Sequence, residues 1–243
     1  MIDPLLFATA RLLTFSGSRS ATAASGFFFR RSERLFLVTS RHVFIDEGQS
    51  HRPDRLEIEL HTDPDDLSAS TGWSVLLYEN RRAAWREGRD DAGEIDVAVI
   101  EIDQSRFPAG ATVHAFTPDQ LVAADATVHL GSALAIPGFP LGFHDEVHHL
   151  PVTRHAVLAS PWGVRFQGKG HFLTDARTHS GTSGAPVVAR LDEGGPMEHP
   201  LRWKLLGIHS SRFDMGNRDR NVDESLGLNV AWYADILMTL TEA

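Results

Sequence analysis

The chain has 243 residues, 42% of them hydrophobic and 23% charged, with a formal net charge of −9 and no cysteine. That is enough apolar material for a sizeable core, and the acidic balance argues against nucleic acid as a partner, because phosphate contacts need a basic surface. Without cysteine there can be neither a disulfide framework nor a thiolate metal site, which fits a reducing compartment.

The opening stretch, MIDPLLFATARLLTF, carries Asp3, lacks a basic n-region and is interrupted by Arg11. It therefore reads as neither a signal peptide nor a membrane span, and the expectation is a cytoplasmic protein with no membrane partner. From there on, short β-like runs recur. They include ATARLLTF at 8–15, SGFFF at 25–29, RLFLVTS at 34–40, LEIEL at 56–60, SVLLY at 74–78, DVAVIEI at 96–102, ATVHL at 126–130, AIPGF at 135–139, HAVLAS at 155–160, VRFQG at 164–168, HFLT at 171–174, APVVA at 185–189, KLLGIHS at 204–210 and LGLNVAW at 226–232. Charged, Gly-bearing stretches at 46–55, 62–72, 79–94, 191–201 and 212–225 separate them and read as surface loops. Many short strands with frequent turn signals indicate an all-β barrel or sandwich. The less strand-like stretch 116–125 divides the chain into an N-terminal half, 1–115, and a C-terminal half, 126–243. In the last segment Val230, Tyr233, Ile236, Leu237 and Leu240 fall near a period of 3.6, which predicts a short C-terminal helix.

Three segments carry candidate chemistry. In LVTSRHV, residues 37–43, an apolar strand ends in Thr39-Ser40 and His42 follows, so an imidazole sits at a strand end beside the core, where a general base is useful. With 13 histidines in the chain, only this context singles it out. In IDVAVI, residues 95–100, Asp96 opens an almost continuous apolar strand. A carboxylate there must find a partner, and a histidine N–H is a suitable one. In GTSGAPVV, residues 181–188, Ser183 stands among small residues that permit a tight turn, with the N–H groups of Gly181 and Ser183 available for a developing oxyanion. The elbow of an α/β-hydrolase needs Gly two places after the serine, and Ala185 is there instead. The segment His144-Asp145-Glu146-Val147-His148-His149 lacks a helix signal and the His-Glu-x-x-His order, so it reads as a polar loop, and no metal or cofactor is expected.

Taken together, His42, Asp96 and Ser183 in that order, with LVTSRHV, IDVAVI and GTSGAPVV around them, resemble the trypsin/chymotrypsin superfamily, in particular disulfide-free bacterial trypsin-like peptidase domains. The resemblance implies a chymotrypsin-like fold of two antiparallel six-stranded β-barrels with the site between them. It also implies a serine endopeptidase with a His42–Asp96–Ser183 triad and an oxyanion hole from Gly181 and Ser183. The stretch Ile136-Pro137-Gly138-Phe139-Pro140-Leu141-Gly142 resembles the start of the second barrel in bacterial relatives. Thr182 departs from the Asp or Asn common before the nucleophile, which implies either activity without zymogen cleavage or a switch by loop ordering. The matching positions for substrate binding are Arg177, Thr178 and the strand bearing His209, Ser210 and Ser211. Thr178 with Gly207-Ile208-His209 resembles glutamyl endopeptidases, implying cleavage after Glu, with Gln and Asp next. The partner implied is a protein or peptide. Two alternatives on the same fold stay open: an enzyme gated by an activating partner, and a non-catalytic peptide-binding module.

Overall fold

The computed structural model describes residues 2–190, 201–213 and 226–242. It is dominated by antiparallel strands in two assemblies. The first contains β1 (Thr9–Ser16), β2 (Arg19–Arg31), β3 (Arg34–Thr39), β4 (Arg55–His61) and β5 (Ser70–Leu76). A small hairpin of β6 (Tyr78–Glu79) and β7 (Arg82–Ala83) leads to β8 (Trp85–Asp90) and β9 (Gly93–Ile102). These form a seven-stranded sheet in the order β5-β4-β1-β2-β3-β9-β8. The second assembly is a closed barrel of β10 (Ala133–Gly138), β11 (Val152–Leu158), β12 (His171–Asp175), β13 (Pro186–Ala189), β14 (Lys204–Arg212) and β15 (Leu228–Tyr233), in the order β10-β11-β12-β15-β14-β13. Of the two six-stranded barrels expected, the closed one is therefore in the C-terminal half. In the N-terminal half, among the described residues, no ladder joins the end strands β5 and β8.

Side-chain alternation explains why the strands nearest the barrel are apolar without interruption. Phe27 and Phe29 of β2, Phe36 and Val38 of β3, and Ile95, Val97 and Val99 of β9 pack with Leu205, Ile208, Trp232 and Leu237 of the C-terminal half. The alternate residues Phe28, Leu35, Leu37, Ala98, Ile100 and Ile102 face the other way, into a core shared with Leu12, Leu56, Ile58 and Phe44. Strands buried on both faces need apolar residues at every position. Each fully buried Phe, Leu, Ile or Val contributes about 1.5–3 kcal/mol relative to exposure. A third cluster, including Leu134, Ile136, Phe172, Val187 and Leu206, fills the barrel.

Four elements differ from the sequence reading. The β-like runs at 126–130 and 164–168 form no strand, the second holding a 3₁₀ turn over Phe166–Gly168. The C-terminal helix is confined to Ile236–Leu240, because Leu228–Tyr233 pairs as β15 with both β12 and β14 and so closes the barrel. The stretch 79–94, read as a loop, contains β8, which pairs with β9 from Trp85↔Ile100 to Asp90↔Gly93. Its charges obscured it: only Trp85 is buried, so β8 makes a sheet edge that is largely solvated. The loop expected at 191–201 lies almost wholly outside the described residues, as does most of that at 212–225. No helix among the described residues is long and apolar enough to cross a membrane.

Candidate active site

His42 lies on α1, a single turn over Arg41–Phe44 that directly follows β3. The turn is held at its start from two sides. The His42 N–H donates to Asp96 Oδ1 at 2.9 Å, and the Ser40 hydroxyl donates to the His209 carbonyl at 3.1 Å, which ties the turn to β14. Asp96, on β9, is next to the turn because β3 and β9 pair in register through Thr39↔Ala98. Its second oxygen, Oδ2, lies 2.7 Å from His42 Nδ1 and accepts the Ser210 hydroxyl at 2.6 Å. The carboxylate therefore faces three donors, which fixes the imidazole with its proton on Nδ1 and leaves Nε2 for the cleft. Burial alone would disfavour the imidazolium of His42. The hydrogen bond to Asp96 and the charges of Asp96 and Asp46 outweigh it and hold the pKa above the ordinary 6.5.

Ser183 comes from the barrel side, in the turn just before β13. It shares with His42, Ser180 and Gly181 a cleft of about 640 Å³ whose other wall is residues 19–24 and the 46–52 loop. Positive φ values of 92° at Gly181 and 84° at Gly184 let the backbone wind around the serine. Both glycines are also forced by crowding. A Cβ on Gly184 would lie 2.1 Å from Thr39 Oγ1, and one on Gly181 would lie 2.5 Å from the Phe139 carbonyl oxygen. In this turn the Thr182 N–H is used by the His179 carbonyl, and the Gly184 N–H by the His209 carbonyl. The N–H groups of Gly181 and Ser183 make no hydrogen bond among the described residues, and both residues line the cleft. The structure thus brings His42 and Asp96 into direct contact and places Ser183 in the same cleft. No hydrogen bond joins His42 Nε2 to Ser183 Oγ. Bonds of this kind often tighten only with substrate bound.

The predicted substrate-binding residues divide. Thr178 and His209 are buried, and Arg177 is exposed without a hydrogen bond or ion pair among the described residues. Burial, with the nearby charge of His42, pushes the His209 pKa down to about 4, so its ring is neutral near pH 7. The Thr178 hydroxyl donates to Asn229 Oδ1, whose Nδ2 donates to the carbonyls of Ala176 at 2.8 Å and Gly227 at 3.0 Å. The side chain of Ser210, expected along the substrate edge, is turned inward to Asp96. Among the described residues the backbone of β14 keeps an open side there. Its ladder with β13 ends at Pro186↔Ile208, and beyond it Ser211 and Arg212 pair, among the described residues, with β15 alone, through Val230 and Asn229.

One residue escaped the sequence reading altogether. Ser25, fully buried on β2, donates its hydroxyl to the Gly181 carbonyl at 2.8 Å and accepts the Phe139 N–H at 3.0 Å. Its own N–H donates to the Ser183 carbonyl at 2.9 Å, and its carbonyl accepts the Thr39 hydroxyl at 2.8 Å. It pins the serine turn to the first sheet. Its only signal in the sequence is a small polar residue at the head of Gly26-Phe27-Phe28-Phe29, and a turn residue would look the same. Thr39 and Ser40, both fully buried, belong to the same seam. Among the described residues, one group could hold a metal ion: Glu59, His144 and His149.

A family model described as trypsin-like peptidase domain matches residues 24–194, well over half the chain. The chain belongs to the trypsin-like peptidase domain family. Its solved neighbours share the fold at low sequence identity. A serine endoprotease from Yersinia pestis superposes with a TM-score of 0.56 at 15% identity, over 97% of this chain and 62% of its own. The chain thus spans under two thirds of that protein. The inactive form of a serine-to-alanine mutant of Rv3671c from M. tuberculosis superposes with a TM-score of 0.50 at 12% identity, over 98% of this chain and 88% of its own. No curated protein sequence matches the chain.

Proposed function

We propose that this trypsin-like domain is a serine endopeptidase that hydrolyses peptide bonds of a protein or peptide through an acyl-enzyme, with no cofactor. Ser183 Oγ attacks the carbonyl carbon, and His42 Nε2 takes the hydroxyl proton and later delivers it to the leaving amine. Asp96 holds His42 in the required tautomer and stabilises the imidazolium, and the N–H groups of Gly181 and Ser183 hold the oxyanion. Water then attacks the acyl carbonyl, with His42 again as base. The observation that carries this reading is the His42 Nδ1–Asp96 Oδ2 contact of 2.7 Å, made across the cleft from Ser183. The side of β14 at Ser211 and Arg212 that is unpaired among the described residues supports docking of an extended substrate as an added strand.

For the residue before the scissile bond we propose Glu, with Gln and Asp next. The support is the neutral, buried His209, whose ring N–H can donate to a side-chain oxygen. Thr178 has its proton committed to Asn229, so it would accept from a Gln amide as it stands and would have to turn to donate to Glu. Arg177 is exposed and adds no support. A second reading, an enzyme gated by a partner, is favoured by the missing His42–Ser183 hydrogen bond.

Labelling with a fluorophosphonate, with Ser183→Ala as control, tests the chemistry. Labelling that vanishes in Ser183→Ala supports the enzyme. Folded protein that never labels, alone or with candidate activators, would leave a peptide-binding module. A peptide-library digest dominated by cleavage after Lys, Arg or Phe would end the Glu assignment.

A further inference from the structure

The loop that leaves β10 runs back over the first sheet and brings two histidines to a glutamate. Residues 144–150 form a tight hairpin in which the Asp145 N–H donates to the Leu150 carbonyl at 3.0 Å, and Asp145 Oδ1 accepts the N–H groups of Val147 and His148. His144 and His149 flank that bridge on opposite legs, with ring centroids 6.3 Å apart. Both face Glu59 of β4, in the other half of the molecule. One ligand atom from each of the three lies within 4.8 Å of the others, and all three residues are half-buried.

The details around each donor are those a metal ion needs. His144 Nδ1 lies 2.7 Å from the Gly142 carbonyl. That bond places the ring proton on Nδ1 and leaves Nε2 as a bare lone pair, the usual outer arrangement of a metal-binding histidine. His149 Nδ1 is buried and lies 2.9 Å from Glu59 Oε1, yet the two are not aligned for a hydrogen bond, so this nitrogen is unsatisfied. A buried polar atom left in this way carries a cost unless something else engages it. Glu59 Oε2 accepts from Arg11 Nη1 at 3.4 Å, which orients the carboxylate and leaves Oε1 toward the histidines. A cavity of about 10 Å³, lined by Glu59, His149, Arg11, His61 and Phe139 among others, adjoins the cluster and has room for one water.

We propose that Glu59, His144 and His149 bind a borderline divalent cation of the Zn²⁺ class, with a water in the fourth position. Two imidazole nitrogens and one carboxylate oxygen are a donor set that zinc accepts, whereas Mg²⁺ and Ca²⁺ prefer oxygen alone. Donor atoms around tetrahedral zinc stand about 3.3–3.5 Å apart. His149 Nδ1 and Glu59 Oε1 already stand 2.9 Å apart, and no pair exceeds 4.8 Å, so His144 would have to close by at most about 1.5 Å, which side-chain rotation on a surface hairpin allows. His148 is outside the site: its Nδ1 is held by Asp145 Oδ2 at 2.8 Å.

The ion would clamp the two halves together beside the serine turn. From His144 the backbone passes to Gly142, and Leu141, one residue earlier, donates its N–H to the Ser180 carbonyl at 2.6 Å. The site is thus two contacts from the oxyanion donors without touching them.

The test is titration of the Ser183→Ala protein with Zn²⁺ alone by calorimetry, paired with thermal melts. This needs no enzyme activity, so its outcome is independent of the proposed peptidase reading. One site per chain is expected, with a raised Tm. Binding should weaken at least about tenfold in Glu59→Gln, in His144→Ala and in His149→Ala, and be unchanged in His148→Ala. No saturable 1:1 binding, or equal binding in all four variants, overturns the proposal. Should a variant fail to fold, Co²⁺ added to the Ser183→Ala protein decides: a visible spectrum of four-coordinate cobalt supports the site, and a spectrum of hydrated cobalt refutes it.

Discussion

Ser25→Ala isolates the seam between the two halves. The substitution removes one hydroxyl and nothing else, but that hydroxyl serves two buried groups, the Gly181 carbonyl at 2.8 Å and the Phe139 N–H at 3.0 Å. A buried polar group stripped of its partner costs about 1–3 kcal/mol. Two such groups, partly relieved by relaxation, give a loss of roughly 2–4 kcal/mol. In a chain of this length each kcal/mol lowers Tm by about 2–4 °C. Gly181, whose carbonyl is anchored, also bears through its N–H one of the two proposed oxyanion donors, so loss of the anchor also loosens the donor geometry. If about 1.4–2.7 kcal/mol of that loss reaches the transition state, the rate falls about 10- to 100-fold.

The assay is the second-order rate of fluorophosphonate labelling, measured well below the Tm of the variant so that all molecules are folded. Ser25→Ala should lower both the Tm and the labelling rate, with the pH midpoint of labelling unchanged, because Ser25 does not touch His42. A lowered Tm with an unaltered labelling rate would refute the positioning role and leave Ser25 as a packing residue. An unaltered Tm would refute the hydrogen-bond accounting itself.

Asp96→Asn should lower the labelling rate by roughly 10⁴-fold, because the amide cannot hold the His42 tautomer. In the unmutated protein the labelling rate should rise with pH through a midpoint above 6.5, since His42 must be neutral to act as base and Asp96 holds its pKa up. That midpoint should fall in Asp96→Asn, and a midpoint that stays put would contradict the assignment of Asp96. His209 makes an opposite, structural prediction. Its pKa of about 4 in the folded state lies below the ordinary 6.5, so the unfolded chain binds the extra proton first and stability drops as pH falls from about 6.5 to 4. The full loss is about 3 kcal/mol at 1.36 kcal/mol per unit. Chemical denaturation at several pH values should show His209→Gln with a flatter acid limb, and an identical limb would mean that the ring is not buried neutral.

The sequence carried the strands that are apolar on both faces and the three segments that meet at the cleft, because each depends on local composition: an apolar run ending in His42, another opening with Asp96, and small residues around Ser183. It did not carry the pairings that depend on distant partners. β8 is highly charged, and only its ladder to β9 makes it a strand. Residues 226–232 read as a strand and 230–240 as a helix, and the strand prevails through Tyr233 because two neighbouring strands claim it. Ser210 was legible as part of a substrate strand, but a bulge between His209 and Ser211 breaks the alternation of β14, and its hydroxyl goes to Asp96 instead. The histidine hairpin looked like a solvated loop because its third member, Glu59, lies 85 residues before His144.

The same contrast explains where this site is robust and where it is vulnerable. His42 and Asp96 are held within one sheet, through adjacent strands β3 and β9 and a backbone hydrogen bond of the helical turn, so their contact survives any slippage between the halves. Ser183 comes from the other half, and its placement relative to His42 depends on contacts across the seam. Those contacts are polar and largely buried: Ser25 to Gly181, Ser183 and Phe139; Ser40 to the His209 carbonyl; and, half-buried, Ser210 to Asp96. Apolar packing across the same seam supplies most of the cohesion but tolerates small shifts, whereas a hydrogen bond fails within a fraction of an ångström. The seam serines therefore set the register that the shared apolar core leaves loose. The absent His42–Ser183 bond is the degree of freedom that such a seam leaves to a bound substrate, or to an ion clamping Glu59 to the hairpin.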